Sequence, residues 1–458
     1  MSSNARERAL IALAAVLIAW QLFVPPALGV ADNGDYPKLI GGACLGGEHP
    51  VFDYVGFTYV KAPANCWSSH LITSAWLPFG VTLAATEPRA GDRYDLRFLG
   101  AAWAVLFLVA FAALLRLTRG RPLVGVTALL IFCSATYVPW FNSFYFDTAS
   151  YVFLCLAIPA VVRLMLSETV RPLDYLFAVV AVLLFAGSKA QHTALALPMT
   201  AAFWLDFGRP GFPRRALRVA ATALIAAAAL AMFLTAPRYY QTVNTWNALF
   251  YQALPHSKNP AADLASAGID PAMSRYAGQH AFLPDSPVAD PVRAEAFAGV
   301  IRPSRLVLYY ARHPSVVIAV LRDALADGSL ERVRMQIGPR QYRLGNYEKG
   351  TGKPPEAQSH FLDFWTSWKT AAFGNRPLLY AAWATALLAA LWTLVLRLPV
   401  DVRPRIVALA AIWTAMVLLA PLLVLFDGID TGRHLFLFNA MLDMTVCGLV
   451  AFFRSRRQ

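Results

Sequence analysis

The chain has 458 residues, of which 58% are hydrophobic and 15% are charged, and its mean hydropathy is +0.49. This composition excludes an ordinary soluble globular protein and predicts an all-α polytopic membrane protein. The net charge of +13 is explained by membrane topology and by affinity for anionic lipid, so nucleic acid is not an expected partner.

Long apolar stretches predict about ten transmembrane helices, because about twenty apolar residues in a helix cross roughly 30 Å of hydrocarbon. The predicted spans are 10–30, 98–117, 123–141, 148–166, 175–187, 191–205, 216–235, 378–396, 406–426 and 435–453. The fifth and sixth are short, and polar residues separate them, so they are either two helices or one broken element. The first is too long for a signal peptide and lacks a small-residue cleavage site, so we expect it to be retained.

The distribution of arginine predicts that both termini face the cytoplasm, because short loops rich in Lys and Arg stay on that side. The predicted inner segments hold Arg6, Arg8, Arg116, Arg119, Arg121, Arg163, Arg171, Arg209, Arg214, Arg215, Arg218, Arg397, Arg403, Arg405, Arg454, Arg456 and Arg457. The short outer turns hold only Lys189 and Arg433. We therefore expect a multi-pass protein of the bacterial cytoplasmic membrane.

This topology divides the chain into three parts. They are an N-terminal transmembrane module at 1–235 with a first outer loop at 31–97, a large outer segment at 236–376, and C-terminal transmembrane helices at 377–458. In the first loop, residues 68–85 are apolar but interrupted by Pro78 and Gly80, which indicates interfacial helices. The outer segment is long enough for a small domain.

Two elements of the outer segment have recognisable local patterns. Residues 305–326 are apolar and interrupted before Pro314, which is typical of an amphipathic interfacial helix or of a core helix in the outer domain. Residues 345–350 have the composition of a turn.

Two of the five cysteines, Cys44 and Cys66, lie in the first outer loop. That loop would face an oxidising compartment, so we predict a disulfide between them, the alternative being two free thiols. Cys133, Cys155 and Cys447 lie in apolar spans and are expected to be small buried side chains.

A pair of carboxylates follows the first span directly, in the sequence Asp32-Asn33-Gly34-Asp35-Tyr36. A carboxylate at the point where a helix leaves the bilayer can contact both a water-soluble hydroxyl and a lipid head group. The same residues are strong turn formers, so a solvated turn without a chemical role is the alternative.

Further polar residues lie at the predicted outer ends of other spans, where such groups are costly and deserve a functional hypothesis. They are Asn142, Tyr145, Asp147, Lys189, Gln191, His192, Asp427, Asp430, Arg433 and His434. Acids and bases at one membrane face suit transfer of a group from a lipid-linked phosphate, because a carboxylate accepts a proton and cations hold the departing phosphate. The alternatives are a helix cap for Asp147, interfacial anchors for Lys189 and Arg433, structural histidines, and a simple outer turn.

Nucleotide chemistry is not expected. The chain has no Gly-rich phosphate loop and lacks the HExxH, paired CxxC and GxSxG motifs, so no nucleotide cofactor is predicted.

The pattern resembles the GT-C superfamily of polytopic glycosyltransferases, which use polyprenyl-phosphate sugars as donors. The acidic pair after the first span and the apolar segment at 68–85 match the layout of that superfamily. Longer strings are similar to bacterial hexosyltransferases of the surface-layer glycan type. These strings are Trp246-Asn247-Ala248-Leu249-Phe250-Tyr251, Tyr276-Ala277-Gly278-Gln279-His280, Tyr309-Tyr310-Ala311-Arg312-His313-Pro314, Gly345-Asn346-Tyr347-Glu348-Lys349 and Gly432-Arg433-His434-Leu435-Phe436.

The resemblance implies a GT-C-like fold and an inverting transfer of a hexose from a polyprenyl-phosphate donor to a glycan or lipid-linked acceptor. Asp32 or Asp35 would be the catalytic base. The donor phosphate would be held by Lys189, Gln191, His192, Arg433 and His434, and Asn142, Tyr145 and Asp147 would complete the pocket. Some members of the superfamily need a divalent metal and others do not, and Asp32 and Asp35 would be its ligands.

Two other classes of function stay open at this point. A transporter or flippase of lipid-linked or polar solutes would have charges strung through the middle of the membrane, whereas a transferase would have them gathered under an outer cavity. A non-catalytic assembly subunit that binds glycan is the third possibility.

Overall fold

The computed structural model describes residues 2–47, 49–67, 71–330, 334–337 and 340–453. Most of the described chain is helical, and two small antiparallel sheets complete it. The prediction of an all-α chain overlooked these strands. The α-helices are α1 (Ser3–Phe23), α2 (Pro37–Ile40), α3 (Trp76–Ala90), α4 (Leu96–Leu117), α5 (Pro122–Phe132), α6 (Phe146–Leu166), α7 (Pro172–Ala186), α8 (Thr193–Thr200), α9 (Arg215–Thr235), α10 (Arg238–Trp246), α11 (Pro260–Ser266), α12 (Pro291–Ala298), α13 (Pro303–Arg312), α14 (Pro314–Gly328), α15 (Phe364–Phe373), α16 (Pro377–Leu396), α17 (Arg403–Leu419), α18 (Thr431–His434) and α19 (Phe436–Phe453).

The strands are β1 (Leu45–Gly47), β2 (Thr58–Lys61), β3 (Arg93–Asp95), β4 (Arg334–Ile337) and β5 (Arg340–Arg343). Short 3₁₀ helices cover Gly41–Ala43, Pro63–Asn65, Val138–Phe141, Ala201–Phe203, Leu254–His256, Pro271–Tyr276 and Ala420–Phe426, and a π-helix covers Asn247–Ala253.

Six helices within the described residues are long and apolar enough to cross a membrane. They are Leu96–Leu117, Phe146–Leu166, Arg215–Thr235, Pro377–Leu396, Arg403–Phe426 and Thr431–Phe452. Shorter apolar helices cover Pro122–Phe132, Pro172–Ala186 and Thr193–Phe203. A membrane-embedded protein is therefore supported, whereas the predicted number of about ten spans is not confirmed.

The predicted ends of two spans are wrong. Helix α1 ends at Phe23 instead of continuing to residue 30, and Val24 is extended, with φ −89° and ψ 123°. The helical conformation is disfavoured for a residue that precedes proline, and Pro25 follows Val24. The span predicted at 123–141 is likewise interrupted, since α5 ends at Phe132 and a separate 3₁₀ helix carries the chain over Val138–Phe141.

The fifth and sixth predicted spans are two separate helices, α7 and α8. Helix α7 ends at Ala186 and is followed by Gly187, and the chain turns before α8 begins at Thr193. The turn carries Lys189, Gln191 and His192, so these three polar residues lie at the same end of the helical bundle.

Within the apolar segment at 68–85, residues 76–85 belong to helix α3, which runs through Pro78 and Gly80 instead of breaking there. Pro78 lies in the first turn, where an amide hydrogen has no partner within the helix, so proline is tolerated. A side chain at Gly80 would meet open space. Ser68–His70 lie outside the described residues, and the interfacial location of α3 stays a prediction.

The first outer loop contains a three-stranded antiparallel sheet in the order β1-β2-β3. Cys44 and Cys66 are joined by a disulfide. Cys44 directly precedes β1, and its carbonyl accepts a hydrogen bond from the Ala62 amide, which follows β2, at 3.0 Å. The disulfide therefore ties the start of β1 to the segment that leaves β2.

The outer segment has a core of its own, which contains Trp246, Phe250 and Tyr309. Helices α13 and α14 meet at Pro314, where the sequence predicted an interruption. However, Phe373 and Trp365 from the end of the segment pack in the main core with the transmembrane helices. The boundary at 376 therefore stays a sequence-based prediction, because apolar side chains on both sides of it share one core.

The two ends of the chain lie at the same end of the bundle. Ser3 Oγ donates to the Arg119 carbonyl at 2.8 Å, Glu7 pairs with Arg116 at 3.1 Å, and Arg121 donates to the Ala451 carbonyl at 2.8 Å. This agrees with the expectation that both termini share one side of the membrane, although which side stays a prediction. Arg454, Arg456 and Arg457, on which that expectation also rested, lie outside the described residues.

Candidate functional site

The acidic loop at 32–35 is held at the exit of α1 by backbone pairing with a distant segment. The Gly29 amide donates to the Asn346 carbonyl at 3.1 Å, and the Ala31 amide donates to the Gly345 carbonyl at 3.0 Å. The Asn346 side chain returns a hydrogen bond to the Gly29 carbonyl at 2.8 Å. The prediction of a simple turn at 345–350 is therefore incomplete, because its first residues are extended and fix the acidic loop.

Asn142, predicted as a pocket residue, has a structural role. Its Nδ2 donates to the carbonyls of Leu22 at 3.1 Å and Leu28 at 2.8 Å, and the residue is fully buried. The first bond satisfies a carbonyl in the last turn of α1, where no helical partner is available, and the second holds the segment that follows the helix. Asn142 therefore positions the acidic loop without facing the charged residues.

Tyr145 lies between the acidic loop and the charged side chains. Its hydroxyl donates to the Ala31 carbonyl at 2.8 Å and accepts a hydrogen bond from the Asn33 amide at 2.8 Å. The guanidinium of Arg433 lies 4.9 Å from the centre of its ring. This stacking orients the arginine towards the loop.

Asp32 forms the turn of the acidic loop while its carboxylate is free of ion pairs with the described cations. Its Oδ1 accepts hydrogen bonds from the amides of Gly34 at 2.8 Å and Tyr36 at 3.1 Å. Gly34 has φ +100°, a conformation that favours glycine. Burial raises the pKa of Asp32 to about 6, against the opposing effect of the two amide hydrogen bonds.

Asp35 is in a different electrostatic environment. Its carboxylate lies 2.5 Å from Lys38 Nζ and 2.6 Å from Arg433 Nη1. Burial alone would raise the pKa of this carboxyl, but attraction to Lys38 and Arg433 outweighs it and holds the pKa well below its usual range. Asp35 is therefore a permanent anion that joins the loop to Arg433.

Arg433 is the centre of the charged cluster. Besides Asp35, its Nε lies 2.6 Å from Asp430 Oδ2 and its Nη1 lies 3.8 Å from Asp147 Oδ2. Asp430 has φ +60°, which Asp tolerates better than most residues. Burial raises the pKa of Asp430 to about 6 despite the nearby Arg433. These ion-pair contacts of Arg433 involve Nη1 and Nε.

A second chain of contacts extends from Asp147. Lys189 Nζ lies 2.8 Å from Asp147 Oδ1 and 3.3 Å from His434 Nδ1. His434 Nε2 lies 3.1 Å from Asp427 Oδ2, which also accepts a hydrogen bond from Gln191 Nε2 at 2.7 Å. Four predicted site residues, Asp147, Lys189, Gln191 and His434, therefore lie in one network with Asp427. Arg433 and Asp35 connect this network to the acidic loop.

His192 is the exception among the predicted phosphate ligands. Its Nδ1 lies 2.8 Å from Ser150 Oγ, which in turn lies 2.8 Å from Ser188 Oγ. Burial lowers the pKa of His192 to about 3, so the ring is neutral at pH 7. The structure thus favours the alternative of a buried structural histidine.

Several buried polar atoms of the cluster lack a hydrogen bond among the described residues, including Asp147 Oδ2, Asp430 Oδ1, Gln191 Oε1 and Arg433 Nε. Asp147 Oδ2 is inaccessible to solvent and accepts no hydrogen bond from the described residues, although Arg433 Nη1 lies 3.8 Å away. An unsatisfied buried carboxylate oxygen is costly. The cluster is thus incomplete on the side between Asp147 and Arg433, which is where an additional hydrogen-bond donor would fit.

The donor atoms of this cluster fit a divalent metal poorly. Asp35 is paired with two cations, and Asp32 uses Oδ1 for two backbone amides. Among the described residues, no group of three or more His, Cys, Asp or Glu side chains is arranged to hold a metal ion. We therefore derive no step through a metal.

Sequence reasoning missed two features of the charged residues. Lys38 is a partner of Asp35, and the three-residue spacing between them was a readable signal. The buried pair of Lys369 and Asp443, with Nζ and Oδ1 2.7 Å apart, was also missed. A lone aspartate in the apolar run of α19 is the signal that could have revealed it.

The fold and the site define a polytopic membrane protein with a network of buried acids and bases at one end of its helical bundle. The family described as YfdI N-terminal transmembrane domain matches residues 2–456, so the chain belongs to this family. No curated protein matches the chain, and no solved structure does so either.

Proposed function

We propose that this protein is an inverting membrane glycosyltransferase of the GT-C type, which moves a hexose from a polyprenyl-phosphate donor to a glycan or lipid-linked acceptor. In this proposal it works on the outer face of the bacterial cytoplasmic membrane and contributes to cell-envelope glycans. The observation that carries the proposal is the contact between the acidic loop after α1 and the cluster around Arg433. It joins the loop that carries Asp32 to cations at the end of apolar helices, through the pair of Asp35 and Arg433.

Asp32 is the better candidate for the catalytic base. A general base works best when its pKa lies near the working pH, and the pKa of Asp32 is raised to about 6. Asp35 is unsuited to this role, because its pairs with Lys38 and Arg433 hold its pKa below the usual range. The proposed role of Asp35 is to orient Arg433.

Arg433 and Lys189 are the candidates for binding the donor phosphate. Arginine presents five N–H donors, and the closest contacts of Arg433 with Asp35 and Asp430 involve only Nη1 and Nε. Lys189 donates to Asp147 at 2.8 Å and lies beside His434, so one of its three hydrogens stays available. The phosphate is an anion before and after the transfer, so these fixed cations would stabilise it as its charge grows.

The proposed step forms one glycosidic bond, breaks one bond between sugar and phosphate, and transfers one proton to Asp32. Asp32 takes the proton of the acceptor hydroxyl while the hydroxyl oxygen attacks the anomeric carbon. The bond between that carbon and the phosphate oxygen breaks, and polyprenyl phosphate leaves with the electron pair beside Arg433. Attack opposite to the leaving group inverts the anomeric centre.

The experiment measures hexose transfer by the purified full-length protein. The donors are a panel of polyprenyl-phosphate hexoses, and the acceptor is a membrane glycolipid extract. The double variant Asp32→Asn/Asp35→Asn should lose transfer while its expression and its elution from gel filtration are unchanged. Asp92→Asn, an exposed carboxylate of the same loop, is the matched control and should keep full activity. Transfer retained by the double variant would overturn the assignment of the base.

A transporter of lipid-linked or polar solutes is the second candidate, and one observation favours it. Lys369 and Asp443 form a buried ion pair against the transmembrane helices, with Asp443 fully buried near the middle of α19. Charged residues at such depth often mark a transport path. Uptake of a labelled polyprenyl-phosphate sugar into proteoliposomes, abolished by Lys369→Met and unaffected by Asp32→Asn, would support this function over the transferase.

A further inference from the structure

A cavity of about 370 Å³ lies within the helical bundle, away from the charged cluster. It is open on one side and is lined by side chains such as Phe111, Phe132, Ile158, Leu391 and Trp413. None of the acids and bases of the candidate site lines it. Because its wall is almost wholly apolar, water would find few hydrogen-bond partners there, whereas a hydrocarbon chain from the bilayer would match the wall.

The cavity extends to the end of the bundle where both chain termini lie. Thr118, Leu166, Ile406 and Ala451 line it at that end. These residues lie near the ends of their helices, so in the predicted topology this part of the cavity would be near the head groups of one leaflet. The predicted topology assigns this leaflet to the cytoplasmic side.

Two arginines mark this rim of the cavity. Arg121 Nη1 donates to the carbonyl of the lining residue Ala451 at 2.8 Å. Arg405 precedes the lining residue Ile406, and its Nη1 lies 3.5 Å from the Ser167 carbonyl. Within the described part of the chain, no carboxylate lies within ion-pair distance of either guanidinium, so each keeps an uncompensated positive charge.

We propose that this cavity binds an anionic glycerophospholipid, with one acyl chain among the apolar side chains and the phosphate at Arg121 and Arg405. The apolar wall of the cavity suits the hydrocarbon chain of such a lipid, and the two arginines suit its negatively charged head group. The assignment does not depend on the proposed glycosyltransferase activity, because the two sites share no residue.

Glycine 448 offers a way to fill the cavity without disturbing the fold. Gly448 lines the cavity, and a Cβ built on it would meet no atom within 4 Å. Gly448→Leu therefore adds a side chain to open space and also improves helix propensity. Gly80→Leu is the matched control, because Gly80 also faces open space but lies in α3, outside the cavity lining.

The test is native mass spectrometry of the purified full-length protein, titrated with dioleoyl phosphatidylglycerol, dioleoyl phosphatidylcholine or undecaprenyl phosphate. Wild type should retain phosphatidylglycerol with about tenfold higher affinity than phosphatidylcholine, since two basic residues face the head group. Gly448→Leu should weaken retention of both lipids by about tenfold or more, and Gly80→Leu should behave as wild type. Ala410→Trp, at another lining residue, provides a second filled cavity should the first variant be poorly expressed.

The head-group half of the proposal has its own variant. Arg121→Gln/Arg405→Gln should reduce phosphatidylglycerol binding to the level of phosphatidylcholine, whereas Arg215→Gln, an exposed arginine at the start of α9, should not. Equal retention of the two phospholipids by wild type would overturn the proposal. It would also be overturned by unchanged phosphatidylglycerol binding in both filled-cavity variants, or by a loss of undecaprenyl phosphate retention in Gly448→Leu without any loss of phosphatidylglycerol retention.

Discussion

The substitution Asp32→Asn isolates the proposed base with little structural cost. The Asn side chain keeps an oxygen that can accept the hydrogen bonds now made by Gly34 and Tyr36 to Asp32 Oδ1, so the turn should persist. What disappears is the capacity to take a proton at pH 7. Positioned general bases contribute about 10²–10⁴-fold to rate, and a loss of transfer of that size is expected.

The pH dependence of the transfer rate gives a second, independent test of Asp32 as the base. Burial raises the pKa of Asp32 to about 6, so the carboxylate is about nine-tenths ionised at pH 7 and about one-tenth ionised at pH 5. The base form exists above its pKa, so transfer by wild type should fall about tenfold between these values as pH decreases. Residual transfer by Asp32→Asn should lack this inflection.

The assay is the initial rate of hexose transfer from pH 4.5 to 8 at saturating donor, with donor binding measured separately. Asp430→Asn is the informative comparison, because burial also raises the pKa of Asp430 to about 6. That variant should keep the inflection even if its rate is lower. An inflection that persists in Asp32→Asn and disappears in Asp430→Asn would refute the assignment of Asp32.

Three further predictions concern charge and covalent structure. Arg433→Lys keeps the charge but loses the contact geometry with two carboxylates, so donor affinity measured by equilibrium binding should fall about tenfold or more, and unchanged affinity would contradict the phosphate assignment. Lys369→Met leaves Asp443 buried without its cation, which should cost about 3–5 kcal/mol of stability in thermal unfolding in detergent. Adding Asp443→Asn should recover part of that loss, and no recovery would argue against the ion pair. Cys44→Ser or Cys66→Ser removes a link across 22 residues, worth about 3 kcal/mol by loop entropy, so the thermal midpoint should fall and the variant should no longer change mobility on reduction.

Sequence periodicity and composition predicted much of the helical framework and the shared location of the polar residues. Helix ends were less predictable, because hydropathy treats Val24, Pro25 and Pro26 as a continuation of the first span although proline geometry ends the helix at Phe23. The number of spans was also hard to predict, because hydropathy does not show where a helix ends inside an apolar stretch. Apolar stretches at 123–141 and 191–205 contain helices of only 11 and 8 residues.

Long-range pairing was beyond local reasoning. Nothing in the composition of Gly345-Asn346 indicates that it pairs with Gly29 and Ala31, since backbone hydrogen bonds carry no side-chain signature. The distribution of charge within the site was equally hidden. Asp32 and Asp35 are three residues apart and equivalent in sequence, and only the positions of Lys38 and Arg433 distinguish a permanent anion from a carboxylate suited to proton transfer.

The most direct test of the central claim is to locate the donor lipid. A polyprenyl-phosphate hexose carrying a diazirine next to the phosphate would be cross-linked to the full-length protein in vesicles, and the modified peptides identified by mass spectrometry. We predict labelling of peptides that contain Asp35, Asp147, Lys189 or Arg433, reduced by excess unlabelled donor. Labelling confined to other parts of the protein, with these peptides unmodified, would contradict the claim that the acidic loop and the Arg433 cluster form the donor site.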